Sequence, residues 1–92
     1  MNYLFFYDKL KDIEICNKYF KVNKYINGYI KIEHSENKNL KMYGLIAYVD
    51  NKIDEIINIF INIDSQNRKK KLDQIICYDI DTNKEYICLF VI

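Results

Sequence analysis

The chain has no proline and no tryptophan, one alanine, one histidine and two glycines, and its 14 Lys and Arg nearly cancel its 13 Asp and Glu. Without proline, and with so little glycine, no Pro/Gly/Ser-rich stretch can act as a linker. No internal repeat or heptad divides the sequence either. Its 92 residues must therefore bury one shared core. A formal net charge of +1 creates no global field toward nucleic acid, a membrane surface or an acidic partner. No apolar run approaches the roughly 18–20 residues that a membrane-spanning helix needs. The start, Met1-Asn2-Tyr3-Leu4-Phe5-Phe6-Tyr7, lacks the basic region and small-residue cleavage site of a signal peptide. The expectation is a cytoplasmic chain, acting in its own cell or in a host's, with no membrane partner.

Cysteine is sparse and unpatterned. Cys16, Cys77 and Cys88 are odd in number, with no CxxC spacing and no histidine cluster. That argues against a disulfide framework and against a zinc site, so neither metal nor cofactor is expected. Buried apolar thiols are the plainer reading. His34, the single histidine, lies in the polar run Glu33-His34-Ser35-Glu36-Asn37 and reads as a solvated loop residue. No P-loop, dinucleotide fingerprint, RNA-recognition motif or Ser–His–Asp set is present.

What is abundant is apolar. Half the residues are hydrophobic, and nine are tyrosine, which places the chain far from the composition of disorder. Lys, Asn, Ile and Tyr share A/T-rich codons, so an A/T-rich genome, such as those of some bacteria, phages and large viruses, accounts for the bias without a functional cause.

Residues 2–7 are apolar and aromatic after Asn2, the pattern of a strand covered on both faces. Asp8 opens a helix with Leu10, Ile13, Cys16 and Phe20 on one stripe. A second strand runs from about Tyr25 to Glu33, a polar loop covers 34–41, and Met42 to Val49 forms a third strand. Gly44 inside it points to a bulge or a close backbone approach. Asp50 or Asn51 can cap a second helix, whose apolar positions are Ile53, Ile56, Ile57 and Phe60. After the basic segment 65–71, Leu72–Ile80 and Glu85–Ile92 read as a hairpin. A two-residue loop at Thr82-Asn83 would set Cys77 directly opposite Cys88. The order is β-α-β-β-α-β-β. The fold expected is α+β, a small mixed sheet or partly open barrel with two helices in one domain.

Several local words in that order resemble the gamma-glutamylcyclotransferase-like family. Tyr3-Leu4-Phe5-Phe6-Tyr7-Asp8-Lys9-Leu10, followed by Lys11-Asp12, is similar to the family's opening strand and its Tyr-Gly-Ser/Thr-Leu loop. Gly28-Tyr29-Ile30 is similar to its second-strand Gly-Tyr, and Gly44-Leu45-Ile46-Ala47-Tyr48-Val49 to its Gly-x-Val-Tyr-x-Val strand. The helix from Ile53 to Phe60, running into Asn62-Ile63-Asp64-Ser65, is similar to its Leu-Asp-x-Phe-Glu-Gly helix end. The resemblance covers nearly the whole chain, with no single motif intact. It implies cyclisation of gamma-glutamyl compounds to 5-oxoproline, in which a glycine loop holds the substrate through backbone N–H groups and a glutamate at the helix end shuttles the proton.

The chain departs from the family at both places. Asp8 and Lys9 stand at the glycine and Ser/Thr positions, and a carboxylate there repels the substrate's own. Ile61 stands at the glutamate position and cannot carry a proton. No Glu lies between Glu55 and Glu85, so sliding the helix end by a residue or two does not recover one. The resemblance therefore implies a vestigial pocket formed by Tyr7, Asp8, Lys9, Leu10 and Ile61, with Ile61 either buried or part of an exposed apolar patch. Of those two, a pocket filled by apolar side chains or covered by a partner is the outcome expected.

The functional expectation is a non-catalytic interaction protein with a protein or ribonucleoprotein partner. A phage or mobile-element inhibitor of a host factor, of the anti-defence or anti-CRISPR type, fits its size and coding bias. Two alternatives stand beside it. One is an active cyclotransferase using Asp64 or Glu55 as a displaced acid. The other is a nucleic-acid-binding protein whose basic cluster Arg68-Lys69-Lys70-Lys71 contacts phosphates, although such a cluster is more often a solvated loop.

Overall fold

The computed structural model describes residues 2–7, 13–32, 40–63 and 72–91, with Ile63 and Val91 described in backbone only. The elements follow the order β1 (Asn2–Phe6), α1 (Ile13–Tyr19), β2 (Val22–Lys31), β3 (Lys41–Val49), α2 (Ile53–Ile63), β4 (Leu72–Asp79) and β5 (Glu85–Val91). The strands close into a barrel in the order β1-β3-β2-β4-β5. Four of the junctions are antiparallel, and the fifth, between β1 and β5, is parallel. The fold is thus α+β, with a mixed sheet and two helices, as the sequence pattern predicts.

Strand alternation divides the apolar residues between two cores. Phe5, Ile30, Ile46, Cys77 and Cys88 are buried together inside the barrel, with Tyr3, Ile26, Met42, Ile75, Tyr86 and Phe90 packed around them. Leu4, Phe6, Leu45, Ala47 and Val49 face outward on β1 and β3, where Cys16, Phe20, Ile56 and Phe60 meet them. This explains the unbroken apolar run of β1: both of its faces are covered, and Leu4, Phe5 and Phe6 are all buried. Phe6, Phe20 and Phe60 form a triangle of tilted rings with centroids 5.4–6.0 Å apart, within the favourable range for aromatic pairs.

The helix stripes are narrower than the periodicity implies. Ile13 and Ile53, which open the two helices, are half exposed, whereas Cys16, Ile56 and Phe60 are buried. The opening residue of each helix stands clear of the contact, which begins three residues on, at Cys16 and Ile56. The second helix also starts differently from its predicted cap. The Lys52 carbonyl accepts the first helical bond, from the Ile56 N–H, while Asn51 is buried and engaged elsewhere. Its Oδ1 accepts from the Lys21 N–H at 2.8 Å, its Nδ2 donates to Glu55 Oε2 at 3.2 Å, and its carbonyl accepts from Asn2 Nδ2 at 3.0 Å. One side chain thus ties the entry of β2 to α2. Asn51→Ala is expected to cost about 1–3 kcal/mol, because it strands the Lys21 donor, measured by chemical denaturation.

The two glycines of the chain face each other in the β2–β3 ladder, Gly28 opposite Gly44. Neither has a positive φ, so space and not backbone conformation calls for them. A Cβ on Gly44 would lie 2.4 Å from the Phe6 carbonyl oxygen and 2.6 Å from the Phe5 ring; one on Gly28 would lie 2.5 Å from Ile46 Cδ1 and 2.8 Å from the Tyr78 carbonyl oxygen. Gly44 is therefore a close-approach residue. The ladder's irregularity lies elsewhere, between Val22 and Lys24.

The hairpin turn is longer than a two-residue loop. Asp79 and Lys84 close it, Asp79 Oδ1 accepts from the N–H groups of Asp81 and Thr82, and Asn83 adopts φ 58°, a left-handed conformation that asparagine tolerates. Cys77 consequently faces Tyr86 and Cys88 faces Ile75. The expected direct Cys77–Cys88 pairing is corrected by a slip of two residues, which moves both thiols along the ladder but leaves both pointing inward.

Candidate interaction site

The topology sends β1 and α2 to the same end of the barrel: Phe60, on the last turns of α2, meets Phe6, on the last residue of β1. Tyr7 and Ile61 follow these two residues in sequence. Tyr7 leaves β1 with its ring stacked on Phe90 at 5.2 Å and toward Phe5 at 6.4 Å. Inside, aromatic and aliphatic side chains fill the barrel. At its opposite end Tyr3 stacks on Tyr48 at 4.5 Å and tilts against Tyr86 at 4.9 Å. Ile61 is not drawn into either core and has 47 % of its surface exposed, which decides between the two outcomes for it: it is a surface apolar residue. Asp8, Lys9, Leu10, His34, Asp64 and the basic cluster Arg68, Lys69, Lys70 and Lys71 lie outside the described residues.

Glu55 lies in the first turn of α2, six residues before Ile61, or about 9 Å along the helix axis. It accepts the bond from Asn51 described above and so stands at the far end of the helix from Tyr7. Among the described residues no group of three or more His, Cys, Asp or Glu side chains gathers to hold a metal ion. Every buried side-chain nitrogen or oxygen among them has a hydrogen-bond partner, so none is left aimed at a ligand. No helix among them is long and apolar enough to cross a membrane.

Two thiols are chemically distinctive. A hydrogen bond with Cys88, then burial, pushes the Cys77 thiol far above its ordinary range. Cys88 Sγ in turn lies 3.9 Å from the Tyr86 carbonyl oxygen. All three cysteines lie outside any disulfide and are buried. A thiol held protonated and away from solvent is a poor nucleophile, so Cys77 serves the packing of the barrel interior, where Cys88 is buried beside it.

The outside of the barrel away from the helices is more open. Tyr43, Tyr29 and Tyr78 lie side by side on β3, β2 and β4. Tyr29 stacks on Tyr78 at 5.3 Å and donates to Asn83 Oδ1 at 2.9 Å. Lys41 Nζ stands 4.6 Å from the Tyr29 ring centre and Lys31 Nζ 4.5 Å from that of Tyr78. Cations already cover these two rings; Tyr43, 59 % exposed, is the open ring of the row. A shallow groove of about 380 Å³ separates Tyr43 from Ile13 and Ile80. On the hairpin, Ile76 faces Ile87 across the ladder, and they are 50 % and 67 % exposed. A second groove of about 540 Å³ opens between β2 and β4, lined by Ile30, Ile32, Met42, Ile75, Ile76 and Tyr78 with Lys31 and Gln74.

Sequence reasoning missed this second groove. The run Gln74-Ile75-Ile76-Cys77-Tyr78 contains adjacent isoleucines, so alternation alone could not say that Ile75 turns inward and Ile76 toward water. No family model, curated protein or solved structure matches the chain.

Proposed function

We propose that the chain is a non-catalytic protein-interaction domain built on a gamma-glutamylcyclotransferase-like barrel. The observation that carries this reading is at the end of α2. Where the resemblance puts the proton-shuttling glutamate, an isoleucine stands half exposed. Isoleucine moves no proton, and this side chain is left on the surface, where a partner can cover it. The strand order and the placing of the β1 and α2 ends together support the scaffold. The position and bonding of Glu55 disfavour it as a substitute acid. An inhibitor of a host factor, made by a phage or mobile element, is the context that the A/T-favoured composition supports.

Ile61→Glu puts the family's residue back. Because the side chain is on the surface, the variant is expected to fold with its stability changed by no more than about 0.5 kcal/mol. Tagged wild-type protein expressed in its native host is expected to bring down a protein partner that the variant loses. It is also expected to make no 5-oxoproline from gamma-glutamyl amino acids or amines. Recovery of no macromolecule at any salt, or turnover to 5-oxoproline by the wild type, would overturn the reading.

A further inference from the structure

The barrel is not evenly sealed. β2 and β4 pair at Gly28–Asp79 and Tyr29–Tyr78, yet β2 runs on to Lys31 and β4 begins at Leu72. In an antiparallel ladder the N–H and C=O groups of successive residues point to opposite neighbours. The Asp79 N–H donates across the hairpin to the Lys84 carbonyl, and the Ile80 N–H donates to the Asn27 carbonyl on β2. By the same alternation the backbone groups of Tyr78, Ile76 and Gln74 face β2. The Ile32 N–H donates to Leu40, toward β3, so those of Lys31 face β4. Beyond the Tyr29–Tyr78 pair, no pairing among the described residues takes up Lys31, Ile76 or Gln74. The Gln74 N–H is met instead by the carboxylate of the residue before it, Asp73 Oδ1, at 2.8 Å. A side chain that satisfies the donor locally is what a free strand edge needs in water.

We propose that the groove between β2 and β4 is a strand-addition site. It takes an extended segment of a partner protein, apolar at alternate positions and carrying an acidic residue between them, as an extra strand. This rests on the interaction-domain reading and names where the partner sits. Two facing edges whose backbone no other described residue pairs specify an extended chain, because its own N–H and C=O groups project to both sides. From Gln74 to Ile76, beyond the Tyr29–Tyr78 pair, is two strand steps, about 7 Å, which matches two or three residues of such a chain. On the inner side, alternate partner side chains would meet Ile30, Met42 and Ile75, which already pack on the barrel core. On the outer side they would meet Lys31 and Lys41, which face each other across β2 and β3, and this pair calls for a carboxylate. A folded second copy could meet one wall only, since its β4 keeps β5 on one side.

The probe is a library of eight-residue peptides with Val, Ile or Tyr at alternate positions and one Glu between them, with isomers N-methylated on either alternating set of amides. In the free protein the Lys31 and Ile76 amides are expected to exchange rapidly with solvent. Bound peptide should slow both by about tenfold or more, as a site occupied at ten times its Kd requires. Methylating either alternating set of peptide amides should abolish binding, because one set pairs with β2 and the other with β4. Ile76→Lys, a change at a half-exposed side chain, should weaken binding about tenfold or more. Lys31→Glu should lose the Glu peptide and bind its Lys counterpart, a swap that a folding defect would not produce. Protection of the Ile76 amide in the free protein would overturn the proposal, because the edge would then be paired already. Binding without that protection, or no binding by any unmethylated peptide at millimolar concentration, would overturn it as well. If a partner is captured from the host but is indifferent to excess peptide and to Ile76→Lys, the interaction-domain reading stands and this site falls. If neither partner nor peptide binds, both fall.

Discussion

Gly44→Ala is expected to lower the melting temperature by roughly 12–24 °C, the largest effect of any single methyl added to this chain. The reason is the partner it meets. The new Cβ would lie 2.4 Å from the Phe6 carbonyl oxygen, and that oxygen belongs to the β1–β3 ladder, where Phe6 pairs with Leu45. Backbone held on both sides cannot rotate away as a side chain does. Overpacking a core typically costs about 1–3 kcal/mol, and a clash with fixed backbone belongs at the upper end. At ~3 kcal/mol, a domain of this size loses about 4–8 °C for each kcal/mol. Gly28→Ala provides the comparison. Its closest neighbour is Ile46 Cδ1 at 2.5 Å, the far end of a side chain, and its backbone neighbour, the Tyr78 carbonyl oxygen, is further off at 2.8 Å. It should destabilise by clearly less. Thermal unfolding of both variants checks this. Equal losses, or a small loss for Gly44→Ala, would show that β1 and β3 can separate at little cost.

How far this was legible in the sequence follows from how local each signal is. β1 declared itself, because an apolar run without alternation means cover on both faces, and the helices supply the second cover. A glycine inside a strand declared Gly44 as a close approach, although not that Phe6 is what it approaches, since that contact spans the chain. The inward direction of Cys77 and Cys88 was readable from hairpin parity, which a slip of two preserves. Their exact pairing was not, because it depends on the turn that Asp79 and Asn83 build. Ile61 could be singled out as a candidate position, but whether its side chain is buried or exposed could not, since that depends on how α2 lies on the barrel. The splay between β2 and β4 was invisible. It depends on where two strands far apart in sequence stop pairing, and no residue between Ile30 and Ile32 or between Gln74 and Ile76 announces that point.

The buried thiols lead to a prediction about alkali. The hydrogen bond with Cys88 and burial hold Cys77 protonated in the folded state far above its ordinary range, whereas the unfolded thiol ionises near about 8.5. As pH rises past that value the unfolded chain releases the proton and the folded chain keeps it. The unfolded state then binds fewer protons, so stability falls with pH. The contribution is constant below the unfolded pKa and is lost progressively above it. Well above the unfolded value each pH unit costs about 1.36 kcal/mol, and less close to it, so from about pH 8.5 to 10.5 Cys77 alone should remove on the order of 2 kcal/mol of unfolding free energy. Tyrosines and lysines also titrate there, so the test is a difference. Urea unfolding is measured at several pH values for the wild type, for Cys77→Ser and for Cys77→Ala, neither of which has an ionisable group at the position. Whatever each substitution costs at neutral pH, the wild-type curve should fall more steeply with pH than either variant's, by about that amount over the two units. Parallel curves would mean that the thiol can ionise inside the barrel, so that water or a cation reaches the space between Cys77 and Cys88.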